Sequence, residues 1–438
     1  MKVLLVQSYL GRKEKLVYPL GLVHIAAPLR DQEVKLLDPN VASEPYEALR
    51  SELRAYRPDV VAVSLRNVDT THSYDPFFYY DSFVRQVKLI KSEAPGSALV
   101  VGGPGFSIFA ETIMKRVPEI DFGVFLEGDE SFAELLANIG RPHEVKGIYY
   151  RDSDAIKFTG VGRLPDLSLL PHPRWDLADL RRYRGQGFQI GLQTKRGCPF
   201  KCLYCVYPFL SISPTIRLRP PEMVGEEIEQ VLALGAEEIH FCDEVFNYPI
   251  EHAEAVCREI IRRRLRFRWR AFFNEKHTSE QLVKLAQEAG CAVFEYSPDG
   301  YSDRTLQSLR KALRTEDLDR VYSIFENVRS GRLKASFILN APGDSTTNVL
   351  RLLWFVARMS LRLRYPFFST LSVMRIYPHT GIHEIALEEG LVEESDDLFR
   401  PVFYNPFPLS LLSYVHDGLC WLILKGLALA RREWSVPF

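Results

Sequence analysis

The sequence lacks an apolar run of about 18 residues, which is the length that a membrane-spanning helix needs. Its closest approach, residues 418–430, is shorter and is interrupted by Lys425. The first seven residues predict a β-strand and not a secretory signal, because no long apolar core or cleavage site follows them. We therefore expect a cytoplasmic protein without membrane contact, in which residues 418–430 form a docked C-terminal helix. Because two arginines and a tryptophan follow this run, an interfacial membrane helix is the alternative.

An excess of charge of either sign is also missing. The 55 basic and 56 acidic residues give a formal net charge of -1 over 438 residues. Nothing in this balance predicts a basic surface for a nucleic acid. With 46% hydrophobic and 25% charged residues, the composition is that of a soluble globular protein with room for two or three domains.

Cysteine is scarce and unevenly placed. Three of the seven cysteines lie within eight residues, in the stretch Cys198-Pro-Phe-Lys-Cys202-Leu-Tyr-Cys205. No second C-x-x-C pair exists to complete a four-ligand structural zinc site, which stays the alternative. Scattered cysteines in odd number suit a reducing compartment better than disulfides. The other four are expected to be buried free thiols in apolar stretches, namely Cys242, Cys257, Cys291 and Cys420.

Three clustered thiolates can hold an iron–sulfur cluster. Because a fourth protein ligand is missing, one iron would stay open to an exogenous chelating group, as a catalytic metal keeps an open position. The sequence therefore predicts that a cofactor or substrate binds at that iron.

The cysteine motif resembles the signature of the radical S-adenosylmethionine (SAM) superfamily, and Tyr204 before the last cysteine fits it. The resemblance implies that Cys198, Cys202 and Cys205 hold a 4Fe-4S cluster whose fourth iron binds the amino and carboxylate groups of SAM. It also implies a catalytic role for Tyr204 and an external electron donor such as flavodoxin or ferredoxin.

Residues 1–144 alternate strand and helix patterns, which predicts a Rossmann-like, doubly wound α/β domain. Such sheets bind ligands beyond the carboxyl ends of their strands. Glycine, proline and polar residues collect in those loops, although a plain strand-to-helix turn would look the same. Strands are expected at Lys2–Gln7, Glu33–Leu37, Val60–Leu65, Ala98–Val101 and Phe122–Phe125.

Three of these loops together resemble the cobalamin-binding domain that precedes many radical SAM barrels. They are Tyr18-Pro-Leu-Gly21, Val100-Val-Gly-Gly103 and Glu127-Gly-Asp-Glu130. The resemblance implies that the bound cobalamin is lined by Gly102, Gly103, Glu127 and Gly128.

The Asp-x-His-x-x-Gly signature, which supplies a histidine to cobalt in many cobalamin proteins, is absent from this domain. Arg66, after the third strand, instead resembles the arginine that faces the lower side of cobalt in a subgroup of cobalamin-dependent radical SAM methylases. A guanidinium has no lone pair to donate, so Arg66 would leave cobalt without a lower protein ligand. The alternative is a surface pair with Asp69.

Residues 145–185 are predicted to be a linker, because their centre contains three prolines and no periodic run. Residues 186–395 again alternate strands and helices, which predicts a partial (β/α)6 barrel with its active site at the carboxyl-end face. Residues 396–438 are expected to form a short helical segment that closes the substrate pocket or packs against the barrel. Strands are expected at Phe188–Thr194, Glu238–Cys242, Phe267–Phe273, Ala292–Tyr296, Lys334–Leu339 and Phe368–Arg375.

Loops at the barrel strand ends extend the resemblance. Asp243 and Glu244 stand where the superfamily contacts the SAM amino group, with helix N-caps as the alternative. Asp299 takes the acidic position of a family Gly-Ile-Glu-Ser stretch. Asn340 opens a loop that in relatives helps to seat adenosine.

The last barrel loop, Arg375-Ile-Tyr-Pro-His379-Thr-Gly, resembles a family Tyr-Pro-Gly-Thr loop and assigns Arg375 to cofactor binding. His379 replaces a glycine there, which predicts either a substrate-facing base or a solvent-facing loop residue.

The resemblance as a whole implies a cobalamin-dependent radical SAM methyltransferase for a small-molecule substrate. Two mechanisms stay open, hydrogen abstraction by an adenosyl radical and two polar methyl displacements, and Arg66 favours the second. A domain with the cobalamin fold but no cobalamin is a further alternative, because Leu126 replaces a family glycine. The enzyme would then move the 3-amino-3-carboxypropyl group of SAM or rearrange its substrate. A non-catalytic sensor is the remaining hypothesis.

Overall fold

The computed structural model describes residues 1–12, 14–153, 155–185, 187–328, 331–363 and 367–418. The chain divides into two compact units. Unit 1 contains Met1–Thr70 and Phe77–Ile190, and unit 2 contains Thr71–Pro76 and the chain from Gly191 onward. Most of the predicted C-terminal helix, together with Cys420, lies outside the described residues.

Unit 1 is built on a seven-stranded sheet in the order β2-β1-β3-β4-β5-β6-β7. The first five strands pair in parallel, and the last two add antiparallel at one edge. The strands are β1 (Lys2–Gln7), β2 (Glu33–Leu37), β3 (Val60–Ser64), β4 (Ala98–Gly102), β5 (Phe122–Val124), β6 (Ile148–Asp152) and β7 (Ala155–Phe158).

Helices cover the sheet of unit 1, so β1 and β3 each contain four consecutive buried residues, as expected of a parallel sheet covered on both faces. Val3, Leu5, Ala62, Val100 and Phe132 belong to one core cluster. The helices are α1 (Leu20–Ala26), α2 (Pro45–Tyr56), α3 (Tyr80–Glu93), α4 (Pro104–Ile108), α5 (Ala110–Arg116) and α6 (Ser131–Ala137).

The predicted doubly wound fold and its five parallel strands are confirmed, but the β6–β7 hairpin was not predicted. It falls within the region expected to be an extended linker. Its second strand has only four residues and is mostly exposed, so its sequence is too short to show the apolar alternation over about 4–8 residues by which a strand is recognised. Ser153, at φ 56°, makes the turn.

Unit 2 contains a seven-stranded sheet in the order β16-β15-β14-β13-β12-β11-β8. Strands β11 to β15 pair in parallel and β16 pairs antiparallel with β15. The strands of this sheet are β8 (Ile190–Leu192), β11 (Glu238–Phe241), β12 (Arg268–Phe273), β13 (Cys291–Asp299), β14 (Arg332–Leu339), β15 (Phe368–Arg375) and β16 (Phe403–Tyr404). A separate ribbon pairs β9 (Lys195–Arg196) with β10 (Arg217–Leu218).

Two ring contacts show helices of unit 2 packed against this sheet. Phe294 of β13 lies 5.1 Å from Phe325, and Phe337 of β14 lies 6.2 Å from Phe355, between ring centroids. The predicted six strands of the partial barrel are confirmed. The helices are α7 (Tyr207–Leu210), α8 (Pro221–Ala233), α9 (Ile250–Arg262), α10 (Glu280–Glu288), α11 (Asp303–Ser308), α12 (Thr315–Asn327), α13 (Thr346–Arg362) and α14 (Gly381–Glu388).

None of the helices in the described part of the chain combines the length and apolar character that a membrane span requires.

Candidate functional site

The cysteine loop leaves β9 through Gly197, whose φ of +102° is open to glycine and strained for other residues. A Cβ at this position would lie 2.6 Å from the carbonyl oxygen of Thr215. Farther along, the N–H of the buried Leu203 donates to the carbonyl of Leu309, and its own carbonyl accepts from the N–H of Ile382, both at 3.0 Å. The middle of the loop is therefore fixed between the end of α11 and the start of α14.

The three thiols of this loop lie within electrostatic reach of one another. The pKa of Cys198 is raised to about 11 and that of Cys205 to about 12, mainly by burial and in smaller part by the neighbouring Cys202. Glu244 also raises the pKa of Cys198, so this predicted side chain lies near the loop. Metal binding displaces such thiol protons.

No group of three His, Cys, Asp or Glu side chains in the described ranges converges as the ligands of one metal ion do. Cysteines that ligate a 4Fe-4S cluster bind separate irons and do not need to converge on one point. The three thiols are therefore suitable ligands for three irons of a 4Fe-4S cluster.

A buried network beside Cys202 joins Tyr204, Asp299 and Lys311. The Tyr204 hydroxyl donates to Asp299 Oδ2 at 2.5 Å, and Lys311 Nζ donates to the Tyr204 hydroxyl at 3.2 Å. Lys311 also forms an ion pair with Asp299, and the two side chains are 9% and 4% exposed. The ammonium group lowers the pKa of Cys202, against the larger rise that burial causes.

The structure thus brings together Tyr204 and Asp299, which the sequence analysis had both assigned to the site. The sequence analysis did not identify Lys311. A lysine is recognised as functional by its burial and its partners, and a single lysine in a polar stretch of sequence shows neither. The only sequence signal was its closeness to Asp299 along the chain.

Three predicted site residues share one unusual backbone conformation. Asp299, Asn340 and His379 have φ values of +64°, +61° and +64°, although none is glycine. They lie at or just beyond the ends of β13, β14 and β15. Left-handed backbone at non-glycine positions carries strain and collects at functional sites.

Asp243 is fully buried, and its carboxylate accepts hydrogen bonds from neighbouring residues of the chain. Its carboxylate accepts from the N–H of Thr194 at 2.8 Å, from the Thr194 hydroxyl at 2.5 Å and from the N–H of Lys195 at 3.3 Å. It therefore holds the strand that enters the cysteine loop. The N-cap alternative for Asp243 and Glu244 is wrong, because α9 begins at Ile250 with Pro249 at its N-cap.

Asn340 is fully buried, and its side-chain amide donates to Asn405 Oδ1. Its own Oδ1 is buried and has no hydrogen-bond partner within the described part of the chain. Ser413 donates to the same Asn405 oxygen at 2.7 Å, so the C-terminal segment contacts the loop that follows β14.

Arg375 and His379 lie in different surroundings. The Arg375 guanidinium donates to the backbone carbonyls of Ile376 and Leu398, the second at 2.9 Å, so it ties β15 to the C-terminal segment. The exposed His379 stacks on Phe209, with ring centroids 4.1 Å apart. It therefore lies beside α7, which directly follows the cysteine loop.

Unit 1 has its own pocket at the carboxyl ends of β1, β2 and β3. With the strand order β2-β1-β3, the chain connects β1 to β2 on one side of β1 and then crosses to β3 on the other side. Such a switch point is where doubly wound sheets bind ligands. Arg66 is exposed and lines this pocket. The other lining residues include Ser8, Leu10, Arg12, Glu14, Lys15, Asp38 and Asn40.

Asn40 joins the loops that form this pocket. Its Oδ1 accepts from the N–H of Leu10 and its amide donates to the carbonyl of Ser8, both at 3.0 Å. Asp38 accepts from the Tyr183 hydroxyl at 2.7 Å. The pocket wall is thus held by side chains that the sequence marked only as loop residues.

The predicted glycine loops lie farther along the same sheet edge. Gly103 has φ +99°, and a Cβ there would lie 2.7 Å from the carbonyl oxygen of Leu65. Gly102 ends β4, and Glu127 and Gly128 follow β5. Leu126, which replaces a family glycine, adopts φ +66°.

Two family models match the chain. The B12 binding domain matches residues 9–136 and the radical SAM superfamily matches residues 192–353. The first match falls within unit 1 apart from residues 71–76, and the second falls within unit 2.

Curated relatives are distant in sequence. An uncharacterized methyltransferase of Pyrococcus horikoshii is 25% identical over 384 residues, which are 85% of this chain and 79% of that protein. The tryptophan 2-C-methyltransferase of Streptomyces laurentii is 24% identical, and the match covers 64% of this chain and 57% of that protein. The hopanoid C-3 methylase of Methylococcus capsulatus is 26% identical over 74% of this chain and 61% of that protein.

Solved structures share the fold. The radical SAM methyltransferase TsrM from Kitasatospora setae, with tryptophan and a SAM analogue bound, has a TM-score of 0.79 at 22% identity over 89% of this chain and 76% of that chain. The cobalamin-dependent SAM radical enzyme OxsB has a TM-score of 0.76 at 16% identity over 97% of this chain and 67% of that chain.

Proposed function

Because this chain is a radical SAM enzyme with an N-terminal B12 binding domain, we propose that it transfers a methyl group from SAM through cobalamin to a small-molecule substrate. The observation that carries the proposal is the placement of Cys198, Cys202 and Cys205 beside the buried Tyr204–Asp299–Lys311 network. When bound, SAM would supply the methyl group and cobalamin would carry it, with the 4Fe-4S cluster holding SAM at its open iron.

In unit 2, the three cysteines would hold the cluster and Leu203 would fix their loop. Lys311 is a buried cation beside Cys202, which suits a carboxylate such as that of SAM. Asp299 keeps this ammonium group charged inside the protein, and Tyr204 orients the Asp299 carboxylate. Asn340 offers a buried acceptor, without a partner among the described residues, on the loop assigned to adenosine.

In unit 1, the switch-point pocket would receive part of the cobalamin. The pocket is lined by the basic residues Arg12, Lys15 and Arg66 and by the acidic residues Glu14 and Asp38, and Arg12 forms an ion pair with Glu14. Lys15 would suit the phosphate of the nucleotide tail. Arg66 is a cation without a lone pair, so it would face cobalt without binding it. We therefore favour the polar mechanism, in which the methyl group moves in two displacements.

The tryptophan and hopanoid relatives act on chemically different substrates, so the comparisons support the reaction class and leave the substrate of this chain as a small molecule. The free thiols of the described residues suit a reducing cytoplasm, where flavodoxin or ferredoxin would supply electrons to the cluster.

The test is anaerobic reconstitution with iron, sulfide and hydroxocobalamin, followed by incubation with SAM and a strong reductant. Methyl transfer predicts S-adenosylhomocysteine and a bound corrin absorbance. Methylthioadenosine without bound corrin would instead support aminocarboxypropyl transfer, and a loaded protein that never consumes SAM would support the sensor hypothesis. Cys202→Ala is the control, because it should lose the cluster and all SAM turnover.

A further inference from the structure

The parallel strands of unit 2 carry a row of polar and charged side chains on one face. On β13, Phe294 and Tyr296 both lie against Phe325 of α12. Because Glu295 stands between them in sequence, its side chain points to the opposite face, the inner face. The same alternation places there His240 of β11, Arg270 of β12 and Lys334 of β14, which with Glu295 form the inner row. A closed parallel barrel is filled by bulky apolar side chains, so a charged row on this face is unusual.

Glu295 connects the inner row. Its side chain is 2% exposed, and one carboxylate oxygen lies 3.0 Å from the Arg270 guanidinium. The other oxygen accepts from the Lys334 ammonium group at 2.9 Å. Arg270 also reaches Nδ1 of His240, at 3.4 Å. A single carboxylate is therefore shared by two cations from the two neighbouring strands.

The inner row has an excess of positive charge. Burial, together with the charges of Arg270 and Lys334, lowers the pKa of His240 to about 3, so its imidazole stays neutral. Glu238 begins β11, but it forms its own ion pair with Arg268 at 2.9 Å. Two cations that share one carboxylate leave the row with a net charge of +1. A single negative charge would balance it.

Both cations have surface that a ligand can contact. The side chains of Arg270 and Lys334 are 15% and 14% exposed. The Lys334 ammonium group has three N–H donors, and Glu295 takes one of them. The Nε2 atom of His240 is buried and has no hydrogen-bond partner among the described residues. The row thus keeps polar groups that an anionic oxygen would satisfy.

Small side chains lie beside Lys334 on the inner face. Ser336 follows it on β14, and Thr370 and Ser372 stand on the neighbouring β15. The Thr370 hydroxyl donates to the Ser336 hydroxyl at 2.9 Å, so these two side chains share the face. Short side chains leave room that bulky residues fill in a closed barrel. The inner face therefore has space for a ligand next to Lys334.

We propose that Lys334 and Arg270 bind a carboxylate of the substrate on the inner face of the partial barrel. A carboxylate matches the single excess charge, whereas a phosphate monoester brings about 1.5 to 2 negative charges. Lys334 lies about 16 Å of strand before the end of β14, so the substrate is an elongated acid whose other end reaches the cysteine loop. This inference rests on the proposed methyl transfer and names the class of its substrate.

The test is a fluorine NMR titration of the full-length reconstituted protein with para-fluorophenylacetate and para-fluorophenylacetamide, which have the same shape and differ in charge. We expect the parent to bind the acid about tenfold more tightly than the amide, because only the acid forms a charge-assisted hydrogen bond. Lys334→Met should weaken binding of the acid about tenfold and leave the amide unchanged, whereas Lys334→Arg should keep the preference for the acid. Lys284→Met is the matched control, since this lysine also pairs with a glutamate but is 68% exposed.

Glu295→Gln should have an effect of the opposite sign. It removes the carboxylate that competes for both cations, so the acid should bind more tightly than it binds to the parent. An ion pair with only a structural role predicts no such gain. If Glu295→Gln does not fold, Lys334→Met/Glu295→Gln should recover the preference for the acid that Lys334→Met loses, because Glu295 no longer occupies Arg270.

Equal binding of the acid and the amide by the parent overturns the proposal, as does a preference for the acid that survives Lys334→Met. Tighter binding of para-fluorophenyl phosphate than of the acid would assign the inner row to a phosphate and would also overturn it. Formation of S-adenosylhomocysteine, measured in the same preparations, tests the proposed function separately. A protein that forms it without preferring the acid loses only the carboxylate site. A protein that prefers the acid without consuming SAM keeps that site and loses the proposed methyl transfer.

Discussion

The ammonium group of Lys311 and the carboxylate of Asp299 form an ion pair that is almost completely buried beside Cys202. Removing one partner of such a pair leaves an uncompensated buried charge. Lys311→Met should therefore lower the free energy of unfolding by about 3–5 kcal/mol. Urea denaturation of the protein without cofactors measures this loss. Lys284→Met is the matched control, because its pair with Glu280 is exposed and its removal should cost about 0–1 kcal/mol.

A double variant at this ion pair separates the effect on stability from the effect on cofactor binding. If Lys311 faces SAM, the double variant Lys311→Met/Asp299→Asn should recover much of the lost stability, because no charge stays unpaired. It should nevertheless bind SAM more weakly than the parent in equilibrium dialysis. Recovery of both stability and SAM binding would show that the pair is only structural.

Gly197 should be intolerant of any side chain. Gly197→Ala places a Cβ 2.6 Å from a backbone carbonyl at φ +102°, and strain of this kind costs about 1–3 kcal/mol. We also expect lower iron content after reconstitution, since the position adjoins Cys198. Gly140→Ala is the control, because nothing lies within 4 Å of its added Cβ and its φ is outside the left-handed region. Equal iron loading of both variants would contradict a role for this turn in shaping the loop.

Glu275 should make the protein less stable as the pH rises. Burial raises its pKa from 4.5 to about 8, and one of its carboxylate oxygens has no partner among the described residues. The folded state then holds a proton that the unfolded state releases, so stability is full below about pH 4.5 and falls as the pH rises toward 8. Glu275→Gln should flatten this dependence and be the more stable protein at pH 8.

Denaturant titrations at pH 6, 7 and 8 measure the effect of Glu275. At about 1.4 kcal/mol per pH unit, the gap between parent and variant should widen with each step. Glu280→Gln, at an exposed position, should leave the parent's pH dependence unchanged. A parent whose pH slope matches that of Glu275→Gln would show that Glu275 is already ionised in the fold.

Arg66 should matter for the corrin and not for the fold. Its side chain is exposed, so Arg66→Gln should change the free energy of unfolding by no more than about 0.5 kcal/mol. Arg66→His would introduce a lone-pair donor, and the absorbance of bound cobalamin should shift toward that of a histidine-ligated cobalt. Lys88→Gln, at an exposed position of α3, should leave both quantities unchanged. An unchanged spectrum in Arg66→His would place Arg66 away from the metal.

Much of the architecture was predictable because it depends on regular patterns. Strands β1, β3 and β4 are runs of Val, Leu and Ala, and the helices between them are periodic, so the order of elements followed from the sequence. The β6–β7 hairpin was missed because its edge strand is only four residues long and mostly exposed.

The site was predictable only where a spacing pattern exists. The cysteines stand close together in sequence, so their clustering was visible there. The role of Lys311 was not visible in the sequence, because it depends on the burial of Lys311 against Asp299, which only the fold reveals. Asp243 was assigned to a cofactor, and the structure shows that Thr194 and Lys195 bind its carboxylate. Its role toward SAM stays a prediction.

The central claim is that Cys198, Cys202 and Cys205 hold a 4Fe-4S cluster with one iron open to SAM. Electron paramagnetic resonance of the reduced, anaerobically reconstituted protein, recorded before and after SAM is added, tests it most directly. The account predicts a 4Fe-4S signal that SAM alters, equal amounts of iron and acid-labile sulfide, and the loss of the signal in Cys202→Ala. Tightly bound zinc without sulfide, or a cluster signal that SAM leaves unchanged, would contradict it.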